Sequence, residues 1–541
     1  MSRIVSVAQM RRVEREADQS GLTYAEMMER AGASVAKTAA GMLGGVQGKV
    51  VLILVGSGNN GGDGLVAGSR LAEQGAVVTA AIVLNRASPD PHLETLRQLG
   101  GEILQADGDG LEAVTARAGS ADLIVDAILG TGFRLPLRES VAAVMAGVGA
   151  VVEARRPRPL VLAVDCPSGV DCDTGQVAHG TLRADTTVTL GAVKPGLIRR
   201  PGADMVGTLV VGDIGLDPES PLLREVLMEY ANAEAVRGWL PVRPSDAHKG
   251  TFGKVLIAGG SVNYPGSIAL AGQGAYRVGA GLVCLAVPGA IQGALVAALP
   301  EATWVILPQE MGVIDEPAGD ILRREAADTQ ALLLGPGLGR EDSTRRFLAR
   351  FLGRPHGSTR GKIGFVRGDA SAESAPEPLP QLILDADGLR LVARLDDWSS
   401  RLPPGSILTP HPGEMAALTG LEVGTIQANR EGVARERAAE WGHIVVLKGA
   451  HTVVAAPDGR AWVLPFATDA LSKAGTGDVL AGAIAGVCAQ GVPAAEACVL
   501  AAYLHGRAGL LAAQAVRAAA GVMASEVGRH LPEAIAELSE A

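Results

Sequence analysis

The chain lacks any uninterrupted apolar run of the ~18–20 residues that a bilayer span requires. Its best candidate, Val479 to Ala489, is broken by Gln490, Gly491 and Pro493. Its five cysteines (Cys166, Cys172, Cys284, Cys488 and Cys498) include no C-x-x-C pair, so neither a zinc knuckle nor a disulfide framework is indicated. It has no excess of base. The 48 Lys and Arg stand against 58 Asp and Glu, a net charge of −10, which argues against a general nucleic-acid surface. The opening MSRIVSVAQMRRVEREADQS has no apolar core followed by a small-residue cleavage site. It reads as the start of a charged helix. These absences lead us to expect a protein of the reducing cytoplasm, with no membrane and no nucleic acid among its partners.

What is present fits more than one domain. At roughly 100–200 residues per domain, 541 residues argue for two or more. A composition 48% apolar and 20% charged rules out wholesale disorder. The mean hydropathy of +0.23 comes from Ala, Val, Leu and 71 Gly spread through short runs.

Residues 9–43 read as helical. Next comes Lys49-VVLILV-Gly56, an apolar run ended by glycines, as in a parallel strand buried on both faces. Ala76–Leu84, Leu123–Ile128, Leu160–Val164 and Thr186–Leu190 continue the series, with helix-like segments between several of them. This is the alternation of an α/β layer fold. A second series opens at Gly253-KVLIAGG-Ser261. It continues through Gly281–Val287, Ala331–Leu334, Leu382–Leu384 and His443–Leu447. Two α/β domains are expected, 1–220 and 235–541, with a linker at 221–234 inside the stretch Asp213–Pro244, where Pro218, Pro221, Pro241 and Pro244 cluster. Residues 354–380 are rich in Pro, Gly and Ser and read as a long surface loop.

In the first domain, Gly56-SGNNGGD-Gly64 follows a strand and precedes a helix expected near Leu65. Gly56, Gly58 and Gly61 match G-x-G-x-x-G, but the next strand ends at Leu84-Asn85-Arg86 without the carboxylate a nicotinamide-dinucleotide fold would carry. A hydride-transfer reading therefore loses support. What remains is a glycine-rich helix start, suited to anions, that also presents Asn59, Asn60 and Asp63. Its alternative is a tight turn capping a helix. Asp126, Asp165 and Lys194 each end a strand-like run, where open α/β sheets bind ligands. Singly, each could be a cap or a loop ion pair.

In the second domain, Ala474-GTGDVLAG-Gly482 would expose the backbone N–H groups of Gly475, Thr476 and Gly477 at a helix start. Asp478 in its first turn reads as a base for phosphoryl transfer, or as a residue favoured by the helix dipole. No G-x-x-x-x-G-K-[ST] string occurs, so the site is not of the Walker type. Lys448-GAH-Thr452, Gly335-PGL-Gly339 and Thr409-PHPGE-Met415 also sit at strand ends. Asp385 and Asp387 in LDADGL are contacts or turn formers.

The strings GNNGGDG, DAILGTG, DCPSG and KPG together resemble the NAD(P)H-hydrate epimerases over residues 1–215. The resemblance implies a Rossmann-like three-layer sandwich that interconverts the two carbon-6 epimers of the hydrated cofactors NADHX and NADPHX. It implies substrate contacts at Asn59, Asn60, Gly61, Gly62, Asp63, Gly130, Thr131, Gly132, Phe133, Arg134, Leu135 and Pro136. Asp165 would be the catalytic group, and Asn60, Asp126 and Ser168 would hold a potassium ion. The second half, through YPGS, GPGLG, LDADGL, HPGE, KGAHT and AGTGDVLAG, resembles the ribokinase-like ADP/ATP-dependent NAD(P)H-hydrate dehydratases over residues 235–530. That resemblance implies a ribokinase-like three-layer sandwich, with hydrated-cofactor contacts at Ser267, Gly337 and His411. Nucleotide contacts would fall at Lys448, Gly449, Ala450, His451, Thr452 and Gly477, and Asp478 would be catalytic. ADP is the implied phosphoryl donor with Mg2+, and a homo-oligomer is expected. Ser472-Lys473 departs from the smaller, less charged residues usual before the AGTGD string. The rival reading is a vitamin or sugar kinase of the same superfamily fused to a non-catalytic cofactor-binding domain.

Overall fold

The computed structural model describes residues 2–107, 110–353 and 379–540. Apart from Leu379 and Pro380, the expected 354–380 loop lies outside the described residues. The chain forms two compact units, Ser2–Tyr230 and Ala231–Ala541.

In the first unit a seven-stranded parallel sheet runs in the order 102–105, 77–82, 50–55, 123–127, 160–164, 186–190, 208–212. The strand Val50–Val55 is apolar throughout because both its faces are covered. Val51, Ile53 and Val55 pack with one cluster that includes Val35, Leu65 and Leu71. Leu52 and Leu54 join another cluster with Val114, Val144 and Met145. The alternating orientation of strand side chains puts successive residues in opposite layers. The chain order reverses direction between strands 50–55 and 123–127. Ligands bind beyond the carboxyl ends of strands at such a switch point.

The expected helical stretch 9–43 is two helices, Val7–Gln19 and Tyr24–Leu43. Gly21 at φ +107° turns the chain, and Thr23 with Glu26 forms a capping box that restarts it.

The second unit repeats the plan on a larger scale. Its sheet runs 461–463, 453–455, 444–447, 407–408, 381–384, 331–334, 254–258, 282–288, 303–307. The two strands at the 461 edge pair antiparallel and the others parallel. Val255 and Ile257 face a cluster with Val479, Ile484 and Leu500, whereas Leu256 and Ala258 face one with Phe347 and Phe351. The switch point lies between strands 254–258 and 331–334. Gly259 lets the two strand ends meet there, since a Cβ on it would lie 2.2 Å from the Pro336 carbonyl oxygen. Both units are three-layer α/β sandwiches.

Candidate active sites

In the first unit the helix after strand 50–55 spans Asn59–Glu73, with Gly58 at its N-cap. It starts six residues before the Leu65 expected from the sequence, so the Asn-Asn-Gly-Gly-Asp string is its opening turn and not a loop before it. The reason is packing. A Cβ on Gly61 would lie 2.1 Å from the Gly56 carbonyl oxygen, on Gly62 2.7 Å from Met28 Sδ, and on Gly64 2.5 Å from Ala127 Cβ. These glycines bring the helix down onto the sheet and against the helix Tyr24–Leu43, and leave its first N–H groups facing the crevice.

A cavity of about 720 Å³ opens there. Asn59, Asn60 and Asp63 line it from the helix, Gly130, Thr131, Gly132 and Phe133 from the loop after strand 123–127, and Asp165 from the end of strand 160–164. Gly61 and Gly62 lie behind this wall in the packing just described. Arg134, Leu135 and Pro136 lie off it: Arg134 sits 3.5 Å from Asp171 and 3.6 Å from Asp173, and Leu135 and Pro136 are exposed. The two N-terminal helices add Arg11, Glu14, Tyr24, Met27 and Met28 to the wall. Nothing in the sequence marks these five, because amphipathic spacing shows which face is covered and not what it covers.

Asp165 has a left-handed backbone, φ +63°, a conformation that costs a non-glycine residue ~1–3 kcal/mol and that clusters at functional sites. Its Oδ1 accepts from Lys194 Nζ (2.6 Å) and the Leu190 amide (3.2 Å). Among the described residues its hydrogen bonds all fall on Oδ1, which leaves Oδ2 for the cavity. Lys194 is 1% exposed. Burial alone would lower its pKa, but the Asp165 carboxylate overrides this and the net shift is upward. Asp63 is held well above the usual carboxylate range by burial, then by the charges of Asp165 and Glu14. Burial also raises Glu14. Lys194→Met removes one partner of a buried pair. We expect a loss of about 3 kcal/mol in the stability of the first unit, checked by the midpoint of its urea transition.

Behind the wall, Asp126 is fully buried. It accepts from the Ser168 hydroxyl (2.5 Å) and amide (2.8 Å), and burial raises its pKa. Asn60 Nδ2 donates to the Leu129 carbonyl (3.0 Å), while its buried Oδ1 has no hydrogen-bond partner among the described residues. The structure thus brings the expected Asn60, Asp126 and Ser168 together around Leu129. An orphaned amide oxygen, a carboxylate, a hydroxyl and a carbonyl form a hard-oxygen donor set, with one acceptor waiting for a positive charge.

In the second unit Gly475, at φ +90°, caps the helix Thr476–Ala489. Asp478 lies beside Ser267 and is pushed up to about 7 by burial, then by the charge of Asp385. Lys448 Nζ bonds Asp385 Oδ1 (2.5 Å), lies 3.8 Å from Glu414 Oε2, and would touch a Cβ on Gly477 at 3.4 Å. The KGAHT and AGTGD strings therefore meet at one ammonium. Burial would lower the Lys448 pKa, yet Asp385 and Glu414 turn the net shift upward. Glu414 is pushed up to about 7, chiefly by burial.

His411 caps the helix Pro412–Thr419, its Nδ1 accepting from the Gly413 amide at 3.0 Å. With Nδ1 an acceptor, Nε2 carries the proton and lies 3.3 Å from Glu414 Oε1. An imidazole whose Nδ1 accepts is neutral, and burial, then Lys448 and Arg390, lower its pKa in the same sense. Gly337, at φ +65°, leaves no room for a Cβ, which would sit 2.6 Å from the Tyr264 carbonyl oxygen and 3.1 Å from Ser267 Cβ.

Thr452 Oγ1 donates to the Gly449 carbonyl (2.9 Å), closing the turn through Ala450 and His451. The His451 amide donates to Phe466, with its ring nitrogen 3.2 Å from the Leu464 carbonyl. Arg430 braces this turn through the Leu447 and Lys448 carbonyls. Lys473 is exposed, as is Ser472. Asp385, open in the sequence reading between contact and turn former, is the buried partner of Lys448. Asp387 accepts from the Gly339 amide at 3.1 Å.

Two family models match the chain: one described as NAD(P)H-hydrate dehydratase over residues 255–533, the other as the N-terminus of YjeF-related proteins over residues 24–196. The bifunctional NAD(P)H-hydrate repair enzyme Nnr of Moorella thermoacetica is 35% identical, covering 99% of this chain and 97% of its own. The enzyme of the same name from Escherichia coli K12 is 32% identical, with 92% and 87% covered. Among solved structures, the ADP/ATP-dependent NAD(P)H-hydrate dehydratase of Bacillus subtilis, co-crystallized with ATP and Mg2+, is 32% identical. It covers 57% of this chain and 98% of its own, at a TM-score of 0.45. A ribokinase-like superfamily protein of Enterococcus faecalis is 24% identical over 58% of this chain and 97% of its own, at a TM-score of 0.47. Matched along nearly its whole length by such relatives, with a separate constellation of polar groups in each unit, the chain belongs to the family of bifunctional NAD(P)H-hydrate repair enzymes.

Proposed function

We propose that residues 1–220 epimerise NADHX and NADPHX at carbon 6. Residues 235–541, after the linker 221–234, dehydrate the S epimer to NAD(P)H at the expense of ADP. The observation that carries this reading is the presence of two separate carboxylate centres at sheet switch points. Asp165 stands beside Asp63, whose pKa burial raises, and beside a buried oxygen cage. Asp478 stands beside an anion-binding helix start and Lys448.

In the first site, Asp63, which burial biases toward its protonated form, gives its proton to the carbon-6 oxygen as the ring nitrogen's electron pair breaks the C–O bond, so that water leaves and a C6=N cation remains. Water adds back to either face of that cation, Asp165 Oδ2 takes the proton it gives up, and exchange with water returns a proton to Asp63. Addition on either face interconverts the epimers. Asn60, Asp126 and Ser168, with the Leu129 carbonyl, would hold potassium, which supplies a fixed positive charge beside the wall. Replacing potassium by tetramethylammonium is expected to slow epimer exchange at least tenfold and to leave dehydration unchanged, read by chromatography of the two epimers.

In the second site, Asp478 removes the proton of the carbon-6 hydroxyl. That oxygen attacks the terminal phosphorus of ADP, forming an O–P bond as the bond to AMP breaks. Lys448 and the Gly477 amide neutralise the developing charge. The ring nitrogen then expels phosphate, and loss of a carbon-5 proton restores the C5=C6 double bond. NAD(P)H, AMP and phosphate result. Mg2+ accompanying the nucleotide would find an oxygen donor in Glu414. Residues 448–452 would hold the nucleotide, and Ser267, Gly337 and His411 the hydrated ring. The same reading places the enzyme in the cytoplasm as a homo-oligomer.

Incubation of the full chain with hydrated NADH and ADP, following the near-ultraviolet absorbance of reduced nicotinamide, tests the proposal. A stable phosphorylated product with no recovered absorbance would instead indicate a kinase.

The shifted Asp478 also sets a pH dependence. The base must be unprotonated, so the dehydration rate is expected to fall about tenfold per pH unit below about 7. For stability the sign is opposite. Because the folded pKa is raised, the contribution is full below the unfolded value near 4 and is lost as pH rises to about 7. Asp478→Asn should therefore stabilise the second unit above pH 7 by up to about 4 kcal/mol, and by nothing below pH 4. Urea unfolding at both pH values checks this.

A further inference from the structure

Next to the second centre lies a cavity of about 660 Å³ whose wall includes Tyr264, Gly339, Arg340, Glu341, Arg390 and Arg394. Three guanidinium groups against one carboxylate make it a positive basin in a chain that is acidic overall. Their carboxylate partners hold them loosely: Arg340 lies 3.8 Å from Asp387, and Arg394 lies 3.9 Å from Asp342. Arg390 makes no ion pair among the described residues; its neighbour is His411 Nε2 at 3.5 Å. A guanidinium held against a neutral imidazole keeps its fork of donors for another anion.

Contacts link the cavity's wall to the residues assigned to the hydrated ring. Tyr264 packs on Gly337, Gly337 packs on Ser267, and Ser267 neighbours Asp478 and lowers its pKa. On the other wall Arg390 reaches His411. A dinucleotide whose ring sits at Asp478 must run the rest of its length away from that point. Its phosphate esters are its only permanent charges. The volume exceeds what one phosphate needs and falls within the range of small-molecule pockets.

We infer that the basin of Arg340, Arg390 and Arg394 is the subsite that binds the phosphate esters of the hydrated dinucleotide and so anchors its ring at Asp478. This deepens the dehydratase reading and rests on it. The ester is either the pyrophosphate, common to both substrates, or the 2′-phosphate carried by NADPHX alone.

The test uses the full chain with Arg390→Gln and with the double change Arg340→Gln and Arg394→Gln. The side chains of Arg340 and Arg394 are 62% and 53% exposed, so the double variant should fold, as thermal melting will verify. The KM for hydrated dinucleotide is expected to rise about tenfold or more, with the KM for ADP unchanged. An equal rise for NADHX and NADPHX assigns the pyrophosphate; a larger rise for NADPHX assigns the 2′-phosphate. Calorimetric titration with NADPH, without ADP, should show one binding step weakened to match, and less sensitive to salt than in the wild type. Unchanged dinucleotide affinity in folded variants, or a raised KM for ADP instead, overturns the inference. If the wild type binds NADPH but turns over no substrate, the dehydratase reading fails, while the titration still decides the subsite.

Discussion

Asp478→Ala should lower ADP-dependent recovery of reduced nicotinamide by about 10³-fold and leave epimer exchange at the wild-type rate. General-base catalysis contributes about 10²–10⁴-fold, and this carboxylate also stands where the phosphoryl group must pass. Burial and the neighbouring Asp385 bring it to about 7, so near neutrality it is part ionised and basic enough to accept a hydroxyl proton. Removing it does not undo the fold, because an ionised carboxyl at that depth is a burden to stability and Ala at the third position of a helix is well tolerated. The measurement is paired: absorbance recovery for the second site and epimer chromatography for the first. Loss of both activities in a folded variant would contradict the existence of two independent centres.

Asp165→Asn should lower epimer exchange by about 10²–10⁴-fold while the S epimer is still dehydrated at the normal rate. Asn keeps an oxygen for the Lys194 bond but cannot take the proton that the adding water gives up. It also leaves Lys194 buried without a counter-charge, and that has a cost in stability. The double change Asp165→Asn with Lys194→Met removes both charges. If this variant recovers the wild-type urea midpoint and still fails to exchange epimers, the loss is chemical. A folded Asp165→Asn enzyme with near-normal exchange would remove Asp165 from the reaction.

The sheet centres were legible in the sequence because their strands are covered on both faces: Val50–Val55 and Lys254–Ala258 are almost wholly apolar. The edge strands were not. Glu102–Gln105 has only Ile103 and Leu104 between polar ends and does not stand out from a loop. Thr208–Gly212 and Thr303–Leu307 are apolar enough but short, and as edge strands they are partly exposed, without the glycine-rich turn that follows the central strands.

At the sites, motif spacing located the crevices but not their electrostatics. Lys448 and Asp385 are 63 residues apart and Lys194 and Asp165 are 29 apart, so no local pattern announces either pair. The start of the helix at Asn59 was obscured because glycine usually signals a turn. Here its lack of a side chain serves close packing against the sheet. Arg11 and Glu14 reach the first cavity through tertiary packing alone.

The proposed division of labour has a direct consequence for a mixture of both epimers. A dehydratase selective for one epimer can finish only if the other is fed to it. The time course of reduced-nicotinamide recovery from mixed NADHX epimers with excess ADP, catalysed by Asp165→Asn, is therefore the most direct measurement. The account predicts a fast phase that consumes the S epimer and then stalls, leaving the R epimer to drift at its spontaneous rate, where the wild type proceeds to completion. A folded Asp165→Asn enzyme that converts the whole mixture at the wild-type rate would contradict it.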